Sequence, residues 1–250
     1  MGMRKRLRLA LGVAMIAIAA SLSGAIWAQT KPTEPTGDLA FGRAIALIRG
    51  HLIAGEELVK LHQWNVAYPH FTFPTEEIYG VIRDELRSYH TPQFDGALKA
   101  LARAVRSRSV KQYPKALEKV EAALAAADAG LKARQPDWPQ FTLGVAVEVL
   151  KTAADEYGDA IENGRIAHPV GYRTTRGFIL QADRMIESAS AELPADPAAL
   201  TAIRANMTKI KLAFADPAAP GRPVLDEKMF DDVVAQIASA FEKLAAGRQI

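Results

Sequence analysis

Apolar side chains recur at intervals of three and four residues through most of this chain, and no other feature constrains its fold as strongly. The interval is clearest at Phe41, Ile45, Ile48, Leu52, Gly55 and Val59. It returns near the C-terminus at Leu200, Ile203, Met207, Ile210 and Phe214, and again at Phe230, Val233, Ile237, Phe241 and Leu244. Such spacing lines one face of an α-helix with apolar side chains, and no strand-like alternation of comparable length accompanies it. The sequence therefore predicts an all-α protein.

We expect about eight helices, separated by proline-rich breaks that end or begin helices. Two prolines, Pro69 and Pro74, bracket a short aromatic connection, and a second pair, Pro136 and Pro139, precedes the second half of the chain. The predicted helices span 39–63, 75–89, 93–108, 114–133, 139–163, 169–192, 197–214 and 226–247, and Gly164 stands where a helix C-cap is expected. Residues 39–250 are thus predicted to form an antiparallel bundle, as one domain or as two halves, 39–134 and 139–250.

A faint internal repeat suggests an alternative arrangement of these helices. Gln63-Trp64 followed by Ala67 resembles Gln112-Tyr113 followed by Ala116. An aromatic residue with a small residue one turn later is typical of stacked helix pairs. Helix-hairpin repeats are therefore the alternative to a simple bundle.

Residues 1–28 have the pattern of a secretory signal peptide. An apolar stretch over 9–26 follows four basic residues, Arg4, Lys5, Arg6 and Arg8. We expect cleavage after Ala28, a flexible leader over 29–38, and a soluble periplasmic or secreted protein without a transmembrane domain. Because the apolar stretch is nearly long enough to span a bilayer, a retained N-terminal anchor facing the periplasm is the alternative.

The composition argues against several classes of function. Loss of the four signal-peptide cations lowers the formal net charge from +3 to −1, so no cationic field remains to attract nucleic acid. The chain contains no cysteine, which excludes thiolate nucleophiles, zinc–thiolate sites and c-type haem. Nucleophile-elbow, zinc-protease and phosphate-loop motifs do not occur. We therefore expect a binding protein, not an enzyme, with no nucleic-acid partner.

Four of the five histidines fall within forty residues, at His51, His62, His70 and His90. His51 and His62 lie on one face of the first helix but about 16 Å apart along its axis, so they cannot bind one ion together. A single site requires His51 or His62 to meet His70 and Glu77, and this set of ligands suits iron, zinc or copper. The alternative is that His70 caps a helix or faces solvent, while Glu77 complements a helix dipole.

A second polar group precedes Gly164, where Glu148, Thr152, Asp155, Asp159 and Glu162 form a stripe along one helix. Such stripes are typical of a solvated acidic face, although clustered oxygens also suit a hard cation or a basic partner. The stretch Asp155-Glu156-Tyr157-Gly158-Asp159-Ala160-Ile161-Glu162-Asn163-Gly164-Arg165-Ile166, followed by Tyr172 and Gly177-Phe178, resembles the periplasmic helical domain associated with bacterial high-affinity iron permeases. The resemblance covers roughly 148–180. It implies an association with iron or another metal, with Asp155, Glu156 and Tyr157 as candidate metal-binding positions.

These patterns predict an exported helical protein that binds a metal, with iron as the leading candidate, or that serves metal uptake beside a metal-transport partner. A metal-free helical scaffold that binds an envelope protein or peptide is the alternative. A b-type haem site inside the bundle is a third hypothesis, because histidine and methionine are both axial ligands.

Overall fold

The computed structural model describes residues 37–193 and 197–246. Its helices are α1 (Asp38–Lys60), α2 (Trp64–Phe73), α3 (Tyr79–Ile82), α4 (Asp95–Arg106), α5 (Tyr113–Lys132), α6 (Trp138–Ala160), α7 (Pro169–Glu192), α8 (Pro197–Ala213) and α9 (Glu227–Ala246). A π-helical turn (Pro74–Ile78) joins α2 to α3, and a 3₁₀ turn (Leu86–Tyr89) follows α3. The predicted all-α fold is confirmed.

The aromatic connection predicted between Pro69 and Pro74 is wrong, because this segment is helical. Pro69 lies inside α2, where it removes one backbone donor. The helix forms nevertheless because Ala67 and Phe71 are almost completely buried, and packing outweighs local propensity. Glu77 consequently lies in the first turn of a π-helical segment that continues from α2, and not at the start of a separate α-helix.

The predicted C-cap at Gly164 is also wrong. Helix α6 ends at Ala160, and two short antiparallel strands follow, β1 (Ile161–Glu162) and β2 (Arg165–Ile166). Asn163 and Gly164 between them both have positive φ, at 52° and 69°. A two-residue hairpin turn of type I′ requires this conformation at both positions, and Asn-Gly is the pair that adopts it most readily.

Buried apolar side chains form two clusters. The first is built from α1 to α5 and includes Phe41, Ile48 and Leu52 of α1. The second is built from α6 to α9 and includes Ala46 of α1. Because α1 supplies residues to both, it lies between the two clusters, and it also contacts α7.

Two glycines permit a close crossing of α1 and α7. A Cβ added to Gly177 would lie 2.2 Å from the carbonyl oxygen of Gly50, and a Cβ added to Gly50 would lie 2.4 Å from the ring of Phe178. Any side chain at these positions would push the helices apart. The crossing brings residues of α7 against the face of α1 that carries His51.

The predicted signal peptide, 1–28, lies outside the described residues, as does the leader as far as residue 36. Asp38, assigned to the leader from the sequence, begins α1. Among the described helices, none combines the length and the apolar composition needed to cross a membrane.

Candidate functional site

The most unusual polar group in the described core is a pair of histidines, His51 of α1 and His70 of α2. Their ring centroids lie 6.1 Å apart. His51 is 4% exposed and His70 is 0% exposed. The two rings are therefore neighbours in a region that excludes bulk water.

Aromatic rings and one hydroxyl enclose the pair. The His51 ring meets Phe73 edge to face at 5.8 Å and Phe178 at 5.1 Å between ring centroids. The Thr174 hydroxyl oxygen lies 3.4 Å from His70 Nδ1. Helices α1, α2 and α7 thus each contribute to the walls around the two rings.

One nitrogen of each ring is left without a partner. His51 Nδ1 and His70 Nε2 are buried and make no hydrogen bond within the described part of the chain. A buried polar atom without a partner usually has a water, an ion or a functional role to account for it. The two nitrogens are therefore the candidate contacts for a bound water or ion.

Both imidazoles are neutral at physiological pH. Burial lowers the pKa of His51 to about 3, with a further contribution from His70. Burial also lowers the pKa of His70 to about 4, assisted by the positive charge of Arg173. Because a metal binds the neutral imidazole, neither ring would first have to lose a proton.

The other predicted ligands lie elsewhere. His62 is exposed just beyond the end of α1, with φ of 59°, and Glu77 is exposed in the π-helical turn. His90 is exposed in a left-handed conformation after the 3₁₀ turn. Within residues 37–193 and 197–246, no group of three or more His, Asp or Glu side chains is arranged to hold a metal ion.

The acidic residues of α6 form an electrostatic group with Glu77. Burial raises the pKa of the Glu156 carboxyl, and the negative charges of Glu77, Asp159 and Asp155 raise it further. The structure therefore brings Glu77 near the α6 acids, an association that the sequence did not indicate. Repulsion within this group favours a bound cation or a basic partner.

The contacts of Tyr157 are those of a residue that stabilises the fold. Its ring is buried against Phe214 and Phe230, and its hydroxyl donates to the carbonyl oxygen of Leu225 at 2.7 Å. This hydrogen bond fastens α6 to the segment that precedes α9. The hydroxyl is thus already engaged by the protein.

The sequence did not indicate that Thr174 and Phe178 of α7 contact the two histidines. Their apolar and small neighbours at helical spacing predict a buried face of α7. That spacing does not specify which helix covers the face, and the Gly50–Gly177 crossing decides it.

The four helices α6 to α9 have known counterparts. Residues 132–247 match the family model of the iron permease-associated 4-helix bundle domain. The resemblance predicted from 148–180 is confirmed, and the match extends over all four helices of this part of the chain. No curated protein and no solved structure matches the chain.

The matched domain and the histidine pair are in direct contact. His51 and His70 precede residue 132, so they lie outside the matched segment. Thr174 and Phe178, which contact them, lie inside it. The four-helix bundle therefore supplies one wall of the histidine environment.

Proposed function

We propose that this protein is an exported accessory component of iron or other metal uptake, which acts by contact with a metal-transport protein of the envelope. The observation that carries the proposal is the match of residues 132–247 to the iron permease-associated 4-helix bundle domain. The signal-peptide pattern over 1–28 supports an envelope location. The proposal requires no catalytic step.

Exposed apolar side chains on the matched bundle offer positions at which to detect this contact. Leu212 of α8 is 72% exposed and Met229 of α9 is 50% exposed. Val81 and Val110, which are 74% and 76% exposed, lie outside the matched segment and serve as controls. All four accept a large side chain without disturbing a core.

A photo-crosslinking amino acid placed singly at these four positions tests the proposal. In iron-limited cells, we expect Leu212 or Met229 to crosslink to a membrane protein that mass spectrometry identifies as a metal transporter. We expect Val81 and Val110 to give much weaker crosslinks. If no position crosslinks to a transport protein, the proposed contact is wrong.

A second candidate function is metal binding at His51 and His70. It is favoured by two adjacent neutral rings, each with one nitrogen that has no hydrogen-bond partner among the described residues. Imidazole nitrogens suit iron, copper and zinc. The uptake role does not depend on this site, since a metal-free scaffold makes the same envelope contact.

Calorimetric titration with Fe(II), Cu(II) and Zn(II) tests whether the protein binds metal at His51 and His70 or is a metal-free scaffold. We expect His51→Gln or His70→Gln to abolish binding of the preferred metal. His168→Gln is the control, because His168 is exposed and pairs with Glu162 at 3.0 Å. Absence of binding by the unsubstituted protein, or equal binding by all three variants, would eliminate this site. A crosslink that survives chelation would identify the scaffold mode.

A further inference from the structure

A cavity of about 400 Å³ opens among α1, the end of α5, the start of α6 and α7. Each helix supplies residues at helical spacing to its wall, for example Ile45 and Arg49 from α1, or Gln181 and Arg184 from α7. Pockets that bind small molecules typically have volumes of about 300–1,000 Å³. The cavity is therefore large enough for a small organic ligand.

One wall of the cavity is aromatic. Trp138 and Phe141 of α6 both line it, and their rings stack with centroids 5.7 Å apart and planes inclined by 28°. Ile45 and Val145 extend this apolar surface. A flat apolar group fits such a wall because stacked and edge-on contacts to aromatic rings are both favourable.

The charged residues of the cavity are mostly cationic. Arg49 is paired within the protein, since it donates to Asp128 at 2.6 Å and to Glu121 at 2.8 Å. Lys132 and Arg184 also line the cavity and are exposed, and neither forms a salt bridge with another described residue. The charge of Arg184 also acts on the Glu56 carboxyl, whose pKa burial raises and Arg184 lowers. Together, the two cations favour an anionic ligand.

One residue of the cavity wall carries a hydroxyl that no other described residue engages. Thr142 is 8% exposed, and its buried hydroxyl has no hydrogen-bond partner within the described residues. The neighbouring Gln181, which also lines the cavity, is likewise buried. The hydroxyl oxygen itself is covered, so a ligand carrying an oxygen acceptor would recover the free energy of the missing hydrogen bond only after the Thr142 side chain rotates towards the cavity.

We propose that this cavity binds a small organic anion, of the aromatic carboxylate class, with its planar group on the Trp138–Phe141 wall and its charge near Lys132 and Arg184. After rotation of its side chain, the Thr142 hydroxyl would donate to an oxygen of the ligand. This site is separate from the two histidines, and it does not depend on the contact with a transporter.

Titration calorimetry with 2-naphthoate and with its neutral amide, 2-naphthamide, tests the proposal directly. The two probes share the same ring system and differ in charge. We expect 2-naphthoate to bind about tenfold more tightly, which is the effect of one charge-assisted hydrogen bond. Equal binding of both probes, or no binding of 2-naphthoate, would overturn the proposal.

Three variants locate the binding. The double substitution Lys132→Gln and Arg184→Gln should remove the preference for the anion and leave the amide affinity unchanged. Thr142→Val keeps the shape of the side chain and should weaken 2-naphthoate binding several-fold. Lys228→Gln, on the exposed face of α9, is the control and should change neither affinity. Thermal melting shows whether each variant folds, and undiminished 2-naphthoate binding by folded cavity variants would contradict the assignment.

Discussion

Glu57 of α1 and Arg176 of α7 form a two-point ion pair that joins the two central helices. Arg176 Nη2 donates to Glu57 Oε1 at 2.7 Å, and Arg176 Nε donates to Glu57 Oε2 at 2.9 Å. A third donor of the same guanidinium, Nη1, contacts the carbonyl oxygen of Phe214 just after α8. The Arg176 side chain is only 11% exposed. One residue thus connects α1, α7 and the end of α8.

We expect Arg176→Ala to lower the free energy of unfolding by about 3 kcal/mol, because it leaves the Glu57 carboxylate partly buried without its partner. Arg176→Lys should recover only part of this loss, since an ammonium group cannot make the two parallel hydrogen bonds. Urea denaturation measures both. The control is Lys228→Ala, which removes an exposed pair with Asp232 and should change the free energy of unfolding far less. Equal losses at the two sites would show that the Glu57–Arg176 pair contributes no more to stability than an exposed ion pair.

Gly177→Ala tests the crossing of α1 and α7. The added methyl would meet the Gly50 carbonyl oxygen at 2.2 Å, and the backbone cannot yield as a flexible side chain does. We expect a loss of about 2–3 kcal/mol in unfolding free energy. Gly96→Ala in α4 is the matched control, because its methyl meets nothing within 4 Å, and it should stabilise the protein by about 0.5–1 kcal/mol. Thermal denaturation measures the stability of both variants. Equal stability of the two would contradict the close crossing.

The histidine pair predicts a loss of stability in weak acid. Folding lowers the pKa values of His51 and His70 from an ordinary 6.5 to about 3 and about 4. Below pH 6.5 the two histidines therefore bind protons in the unfolded chain but not in the folded protein. The contribution of the two neutral histidines to the free energy of unfolding is fully present above pH 6.5. It falls as the pH drops towards 4, by about 1.4 kcal/mol per pH unit for each histidine.

Urea denaturation between pH 7 and pH 5 measures this dependence. Some carboxyls, such as those of Glu56 and Glu156, have pKa values raised by burial and oppose the trend, so the comparison between variants is decisive. We expect His51→Gln and His70→Gln each to reduce the pH dependence, whereas His168→Gln should retain it. An unchanged pH dependence in all three variants would mean that the buried pair does not titrate on unfolding.

Tyr157→Phe distinguishes a structural tyrosine from a metal ligand. The substitution removes the hydrogen bond to the Leu225 carbonyl oxygen and should cost about 1 kcal/mol of unfolding free energy. Metal affinity, measured by the same titration as for the histidine variants, should not change. A weaker metal affinity with unchanged stability would instead identify Tyr157 as a ligand.

Most of the helices could be predicted because their apolar spacing is regular. Helices α5, α7 and α8 begin or end within a residue or two of the positions that the spacing predicts. Helix α2 was missed because Pro69 and Pro74 are local breaking signals, while the burial of Ala67 and Phe71 that overrides them depends on the other helices.

The candidate site could be predicted only in part. Spacing excluded a joint site for His51 and His62 and left His70 as the partner of one of them. The structure selects His51, because α2 folds back along the middle of α1 and leaves His62 at its exposed end. The enclosing residues of α7 were not predictable, since the crossing at Gly50 and Gly177 joins residues more than a hundred positions apart.

The initial rate of radioactive iron uptake by iron-limited cells tests the central claim most directly. The proposed uptake role predicts a several-fold lower rate in cells that lack this protein, and full recovery when the intact chain is supplied in trans. The Lys228→Gln chain should restore uptake equally well. An uptake rate that is the same with and without the protein, for iron and also for zinc and copper, would contradict the proposed function.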